Sequence, residues 1–321
     1  QGPLLNPEPK GTLWLVQPDL DGYPVQPLVA ENFPPKRDFH PLGIDIFPGE
    51  AGQPSTLFVV NHMRDSRLTV DVFALHDENP PRLVYLKELY HPMFWAANSV
   101  AALSHNEFFL SIDHWFRRDG FIPWKWFAPF LETALMLPLG MVEYVKFGRN
   151  GIDYTVPILG IPYPNGLALS PDKSKLAVSS TSAGKVRIYD VLPNGGGLAN
   201  RTIIPVPLSP DNVDYQEDGS LIVAGHPHFP SISRLGARKR TSSPSWVVSI
   251  QDKNSNSSDD RTSNVPYSAY NRVGLHKDYT MRTIYQSNGE GWSASTSALW
   301  AGKNKDKLVI GGLYTEGVLV C

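Results

Sequence analysis

The sequence predicts an all-β chain built as a six-bladed β-propeller, and three observations carry that expectation. One pattern recurs in which a polar residue leads an inner-strand motif and a second apolar strand follows: Asn98-Ser-Val-Ala-Ala-Leu then Phe108-Phe-Leu-Ser-Ile, Asn165-Gly-Leu-Ala-Leu then Leu176-Ala-Val, and Asp211-Asn-Val-Asp-Tyr then Leu221-Ile-Val. Short runs rich in β-branched and aromatic residues, bounded by Gly, Pro, Asn or Asp, occur from end to end. The 29 prolines and 26 glycines are spread through all 321 residues, which disfavours long helices and supplies turns.

In chain order the strand runs are Thr12-Leu-Trp-Leu-Val, Thr56-Leu-Phe-Val-Val, Leu68-Thr-Val-Asp-Val-Phe, Phe108-Phe-Leu-Ser-Ile, Lys185-Val-Arg-Ile-Tyr-Asp, Leu221-Ile-Val, Trp246-Val-Val-Ser-Ile and Lys307-Leu-Val-Ile-Gly. Residues 169–190 read as strand, turn, strand, turn, strand, which is most of a blade. The pattern returns in Leu42-Gly-Ile-Asp-Ile before Leu57-Phe-Val-Val, and loosely in Ser295-Thr-Ser-Ala-Leu before Leu308-Val-Ile. Between second strands the widest gaps, 111–175 and 224–307, call for loops or a further, degenerate blade. No regular alternation of helices with strands supports a parallel βαβ fold, so one propeller domain over 1–321 is expected.

One insertion, about 121–142, differs in kind. It is apolar and aromatic, but prolines at 123, 129 and 138 and the charges of Lys125 and Glu132 argue against a spanning helix. It reads as a broken amphipathic helix covering one face, either simply packed on the propeller top or, compatibly, acting as a substrate lid or peripheral membrane contact.

Composition narrows the function. The 29 basic and 31 acidic residues nearly cancel, and no Lys/Arg block is interleaved with aromatics, which excludes a nucleic-acid footprint. Two sequons in loop-like stretches, at Asn200 and Asn256, suit N-glycosylation of a secreted protein. The single cysteine, Cys321, is a free thiol or, in a secreted chain, asks for a partner elsewhere.

The recurring motif also points to chemistry. Hairpins set around an axis would bring Asn98, Asn165, Asp211 and the adjacent Asn212 to one point, and such oxygen ligands suit Ca2+. An asparagine ahead of a strand is by itself a common turn residue, so the recurrence carries the expectation. Histidine falls at the ends of second strands in Asn61-His62, Asp113-His114 and Gly225-His226, where the rings would rim the same funnel and a neutral imidazole could act as a general base. A calcium ion with open positions would polarise an ester or lactone carbonyl, and Asp211 could serve as both ligand and base. No Gly-x-Ser-x-Gly elbow is present; Asn194-Gly-Gly-Gly reads as a turn, and the run from Asn254 to Asp260 as an exposed loop.

Phe58-Val-Val-Asn-His62, Asn98-Ser-Val-Ala-Ala-Leu, Phe109-Leu-Ser-Ile-Asp-His-Trp-Phe, Pro164-Asn-Gly-Leu-Ala-Leu-Ser-Pro-Asp172, Asp211-Asn-Val-Asp, Val223-Ala-Gly-His-Pro227 and Val318-Leu-Val-Cys321, in this order and spacing, resemble the paraoxonase/arylesterase family. The resemblance implies a six-bladed propeller, calcium-dependent hydrolysis of lactones and aryl esters, secretion, and an apolar helix over the active site. By position, Asn98, Asn165, Asp211 and Asn212 match the catalytic-calcium ligands, His62 the second histidine of the proposed dyad, and His226 a pocket histidine. The chain also departs from the family. Leu42 stands at the first dyad histidine, with His40 two residues away, and Ser99 stands at an aspartate ligand of a second, structural calcium. The family takes a calcium-binding Glu, and the cysteine that pairs with its C-terminal one, from a region upstream of Gln1. An N-terminal segment or second chain that completes the first blade and pairs with Cys321 is therefore expected.

Two functions follow. The first is a calcium-dependent esterase or lactonase, with His62, Asp211 and His40 as the catalytic candidates, Asp211 or a His62-centred pair activating water, Leu42, His114 and His226 in the substrate pocket, and a small ester or lactone as substrate. The second is a non-catalytic propeller in which calcium is structural and the funnel binds a ligand or protein, with Leu42 as its strongest sequence support.

Overall fold

The computed structural model describes residues 10–65, 67–78, 80–116, 124–193, 196–253 and 276–321. The chain divides into two compact units, Gln1–Pro164 and Asn165–Cys321.

The first unit contains β1 (Leu13–Val16), β2 (Val25–Leu28), β3 (Ala30–Glu31), β4 (Pro41–Phe47), β5 (Ser55–His62), β6 (Leu68–His76), β7 (Arg82–Leu89), β8 (Ala97–Ser104), β9 (Glu107–Ile112), α1 (Trp124–Ala134), β10 (Gly140–Gly148) and β11 (Gly151–Ile161). Strands β4 to β7 form an up-and-down first sheet, and β8 to β11 a second. The second unit holds β12 (Pro164–Leu169), β13 (Lys175–Ser180), β14 (Lys185–Val191), β15 (Leu198–Pro205), β16 (Ser209–Tyr215), β17 (Leu221–His226), α2 (Phe229–Gly236), β18 (Ser245–Asp252), β19 (Tyr279–Ser287), β20 (Ser295–Ala301), β21 (Lys307–Gly312) and β22 (Leu319–Val320). Its sheets are β12 to β15, β16 to β19 and the three-stranded β20 to β22.

All the strand runs named from the sequence are strands, because most are buried on two faces and therefore read as continuous apolar stretches. On β17, Leu221 and Val223 pack with Val186, Ile188 and Ile204 of the third sheet. The alternate residues Ile222 and Ala224 pack with Ala298, Leu308 and Ile310 of the fifth. In the first unit Phe58, Val60, Val70 and Val72 of one sheet meet Val100, Phe108, Leu110 and Ile112 of the next. Each such fully buried large side chain contributes about 1.5–3 kcal/mol.

The fold is of the all-β propeller class, with five blades among the described residues instead of the six expected. The N-terminal strands are too short to build another. β1 and β2 pair only with each other, and Pro27 in β2 lacks a donor for a further ladder. β3 attaches in parallel to the outer edge of the first sheet at β7. The gap at 111–175 is filled by α1, β10 and β11, which complete the second sheet, and by β12, which opens the third. The gap at 224–307 holds α2, β18, β19 and β20, with 254–275 outside the described residues.

The apolar insertion expected over 121–142 is also corrected. Residues 121–123 lie outside the described residues, α1 has 11 residues, and β10 has begun by Gly140. The helix buries Glu132, at 2% exposure, while Phe127 and Phe130 stay exposed at 49% and 64%. Among its described side chains Ala128 is buried with Glu132, and the two phenylalanines face outward. No helix among the described residues is long and apolar enough to cross a membrane.

Candidate functional site

A β-bulge repeated at one register gives the recurrent motif its geometry. In the first sheet Pro41 pairs with Asn61 and Ile44 with Val59, so Leu42 and Gly43 share a single opposing residue. In the second sheet Ala97 pairs with Ile112 and Val100 with Leu110, which puts Asn98 and Ser99 in the same position. In the fourth sheet Pro210 pairs with Gly225 and Val213 with Val223, and the bulged residues are Asp211 and Asn212. A bulge releases its residues from the strict alternation of the strand and re-aims their side chains.

The second residue of the motif must be small where inner strands approach closely. A Cβ on Gly43 would lie 2.4 Å from the Asn98 carbonyl oxygen, and one on Gly166 would lie 2.5 Å from Asn212 Cα.

In the second unit the motif residues of neighbouring sheets are joined by hydrogen bonds. The Thr181 hydroxyl donates its one proton to the Pro210 carbonyl at 2.7 Å, so it accepts from Asn165 Nδ2 at 3.2 Å. Asn212 Nδ2 donates to the Thr296 carbonyl at 2.9 Å. Ser179 Oγ donates to the main-chain oxygen of Asp211 at 2.5 Å. His226, 4% exposed, donates from Nε2 to Asp211 Oδ2 at 3.2 Å, and its Nδ1 is buried with no hydrogen-bond partner among the described residues.

In the first unit Asn98 Nδ2 donates to Asp113 Oδ2 at 3.1 Å. Asn98, Asn165 and Asn212 thus each commit the amide nitrogen to a protein acceptor. Amide and carboxylate oxygens such as those of Asn165, Asp211 and Asn212 in the second unit are donors of the kind that suits Ca2+. Among the described residues no group of three or more His, Cys, Asp or Glu side chains is placed to hold a metal.

The histidines differ in their settings. His62 ends β5 and donates from Nε2 to the Ala97 carbonyl at 2.8 Å, which makes Nδ1 the basic nitrogen of the neutral ring. The main chain of His40 is fixed by Asn61 Oδ1, at 2.8 Å from its N–H, and by the His62 N–H, at 3.1 Å from its carbonyl. Asn61 also donates to Asp71, whose carboxyl burial lifts above the ordinary range although the Arg37 guanidinium beside it pulls the other way. Leu42 is 48% exposed. His114, 2% exposed, uses both ring nitrogens, bonding Asp113 Oδ1 and Thr133 Oγ1, each at 2.8 Å, and its ring lies 4.5 Å from that of Tyr163.

Sequence reasoning missed Asp113, Thr133, Ser179 and Thr181. A signal existed for two of them: Asp113 is the first member of an X-His doublet, and Thr181 follows the second strand of the third sheet, where the other motif copies carry histidine. Asn200, expected in a loop, lies instead in the edge strand β15, exposed, with φ 46° and Nδ2 2.8 Å from Asp190 Oδ2. Asn256 and the run around it, with Asn194, fall outside the described residues. Cys321 is an exposed free thiol.

Comparison with known proteins bears on this arrangement. The family model described as Arylesterase matches residues 3–271. Serum paraoxonase/arylesterase 2 of Bos taurus is 27% identical over 277 residues, covering 86% of this chain and 67% of that protein. Serum paraoxonase/arylesterase 1 of Mus musculus is 26% identical over 286 residues, covering 87% and 68%. Serum paraoxonase/lactonase 3 of Homo sapiens is 26% identical over 227 residues, covering 70% and 60%. Among solved structures, a 6-phosphogluconolactonase-like protein of Bacteroides uniformis superimposes with a TM-score of 0.51 at 13% identity, covering 98% of this chain and 75% of that one, a likeness of fold alone. With a bulged Asn/Asp motif in the second and fourth sheets and a family model that spans most of the sequence, the chain belongs to the arylesterase family, the family of the paraoxonases.

Proposed function

We propose that the protein is a calcium-dependent hydrolase of lactones and aryl esters. Family membership supports ester or lactone hydrolysis, and one structural observation supports the metal: the motif asparagines Asn98 and Asn212 hold their amide nitrogens on protein acceptors and so offer oxygen. Asn98, Asn165, Asp211 and Asn212 would hold the ion. When bound, Ca2+ supplies positive charge to a substrate carbonyl and to the oxyanion formed on attack.

The protein's own groups do the rest. Asp211 accepts the His226 Nε2–H, and it would either hold the ion or take a proton from water. His62, fixed through Nε2, takes a proton at Nδ1. Secretion, N-glycosylation at Asn200 and Asn256, and a disulfide from Cys321 to a cysteine outside this chain belong to the same proposal.

The deciding experiment is Asp211→Ala, assayed for calcium binding by calorimetry and for turnover of phenyl acetate and a γ-lactone. Both should fall together, with turnover down by at least about a hundredfold. Undiminished turnover in a variant that no longer binds calcium would sink the metal mechanism. A second reading, a non-catalytic propeller that binds a ligand or protein partner, is favoured by Leu42 alone, which stands half-exposed where the family pattern carries a histidine. Turnover of neither substrate by wild-type protein loaded with calcium would select it.

A further inference from the structure

We infer that Asp113, His114 and Thr133 are positioning residues that set the amide of Asn98, so that docking of α1 and binding of calcium are coupled. The inference rests on the proposed role of Asn98 as a ligand.

The donors and acceptors fix its direction. Asp113, as a carboxylate, accepts, so Nδ1 of the His114 ring donates in the 2.8 Å bond to Asp113 Oδ1. A neutral ring that donates at Nδ1 accepts at Nε2, and the Thr133 hydroxyl, 2.8 Å from Nε2 and 3.0 Å from the Pro129 carbonyl, supplies that proton. With Oδ1 taken by the ring, the other carboxylate oxygen, Oδ2, receives Asn98 Nδ2 at 3.1 Å. The chain from the helix to the ligand amide thus runs Thr133, His114, Asp113, Asn98. It orients Asn98 nitrogen-inward, which is the orientation a hard cation needs on its other side.

A second contact ties the same end of the helix to the same segment. The Glu132 carboxylate, 2% exposed, accepts the Trp115 N–H at 3.0 and 3.1 Å and the Phe116 N–H at 3.2 Å. Phe127, Phe130, Leu135 and Met136 in and after α1 are all exposed, and Pro129 removes an N–H from its middle. A helix whose end is anchored by the polar contacts of Glu132 and Thr133 is the kind of element that undocks locally. Linkage then runs both ways: by whatever factor docking tightens calcium, calcium tightens docking.

The test uses the full chain stripped with chelator and titrated with CaCl2 by calorimetry, in parallel with hydrogen exchange over 124–134. Thr133→Val, which keeps volume and loses the hydroxyl, should weaken calcium binding about tenfold, the usual size for a residue behind a ligand. Thr133→Ser should restore the affinity to within about twofold of wild type. Calcium should slow exchange across the helix in wild type and Thr133→Ser, and much less in Thr133→Val. Asp113→Asn should give the same loss of affinity without touching the helix, and it decides the matter if Thr133→Val fails to fold. Wild-type affinity in both Thr133→Val and Asp113→Asn, with exchange indifferent to calcium, overturns the coupling and leaves the proposed function standing. A wild-type protein that binds no calcium overturns both.

Discussion

Glu143 is the residue least at ease in this molecule. It lies on β10 opposite Leu110, in a row flanked by Phe108, Ile112, Met141 and Val145. It is fully buried, and neither carboxyl oxygen has a hydrogen-bond partner. Burial alone pushes its acid from 4.5 up to about 8. The ionisable groups on the elements around that core are engaged elsewhere. Lys87 lies 4.9 Å over the Phe147 ring, His91 packs 4.3 Å from Tyr154, and His62 bonds the Ala97 carbonyl. Between pH 4.5 and about 8 the folded protein holds a proton that the unfolded chain has released. Stability therefore falls as pH rises through that window and levels off above it. Denaturant unfolding of wild type and Glu143→Gln from pH 5 to pH 9 should show a falling difference between them, roughly 3–5 kcal/mol across the window. A difference that does not change with pH would show that the carboxyl finds a partner. Strand alternation alone marks this residue, since it shares a face with Met141, Val145 and Phe147 and lies on the face opposite Tyr144 and Lys146.

At the scale of elements, the strands were legible and the bulges were not. A doubly buried strand such as Leu221-Ile-Val advertises itself by composition, whereas a bulge is a property of pairing between two strands and leaves no residue signature here beyond Gly43 and Gly166. The leading polar residues were found because they recur. What anchors them, Asp113 for Asn98 and Thr181 for Asn165, was hidden because those partners lie on the neighbouring strand's far end. Helix α1 was expected as a broken amphipathic cover over one face, and the polar contacts of Glu132 and Thr133 were not legible. Gly166→Ala tests the tight strand contact, since its Cβ would meet Asn212 Cα at 2.5 Å. It should cost about 1–3 kcal/mol and weaken calcium binding. Gly148→Ala, where a Cβ meets nothing within 4 Å, is the control and should change calcium affinity by less than about twofold. Equal effects from the two substitutions would remove the close approach as the reason for glycine.

For the molecule as a whole, class and family were legible across nearly the full sequence, and the number of blades was not. Counting motif copies gives inner strands, while a blade also needs outer strands of sufficient length. β1 and β2, of 4 residues each, form only a two-stranded sheet, and β3, of 2, joins the first sheet, so a further full blade is not built among the described residues. If calcium ties motif residues together, it stabilises the folded form by mass action. At a free concentration of a hundred times Kd the gain is about 2.7 kcal/mol, and the thermal midpoint should rise on loading and fall on chelation. Hydrolysis of phenyl acetate by chelator-treated protein, before and after CaCl2 is restored, tests the central claim most directly. Activity lost with chelator and recovered with calcium is the predicted result, and full activity in excess chelator would contradict it.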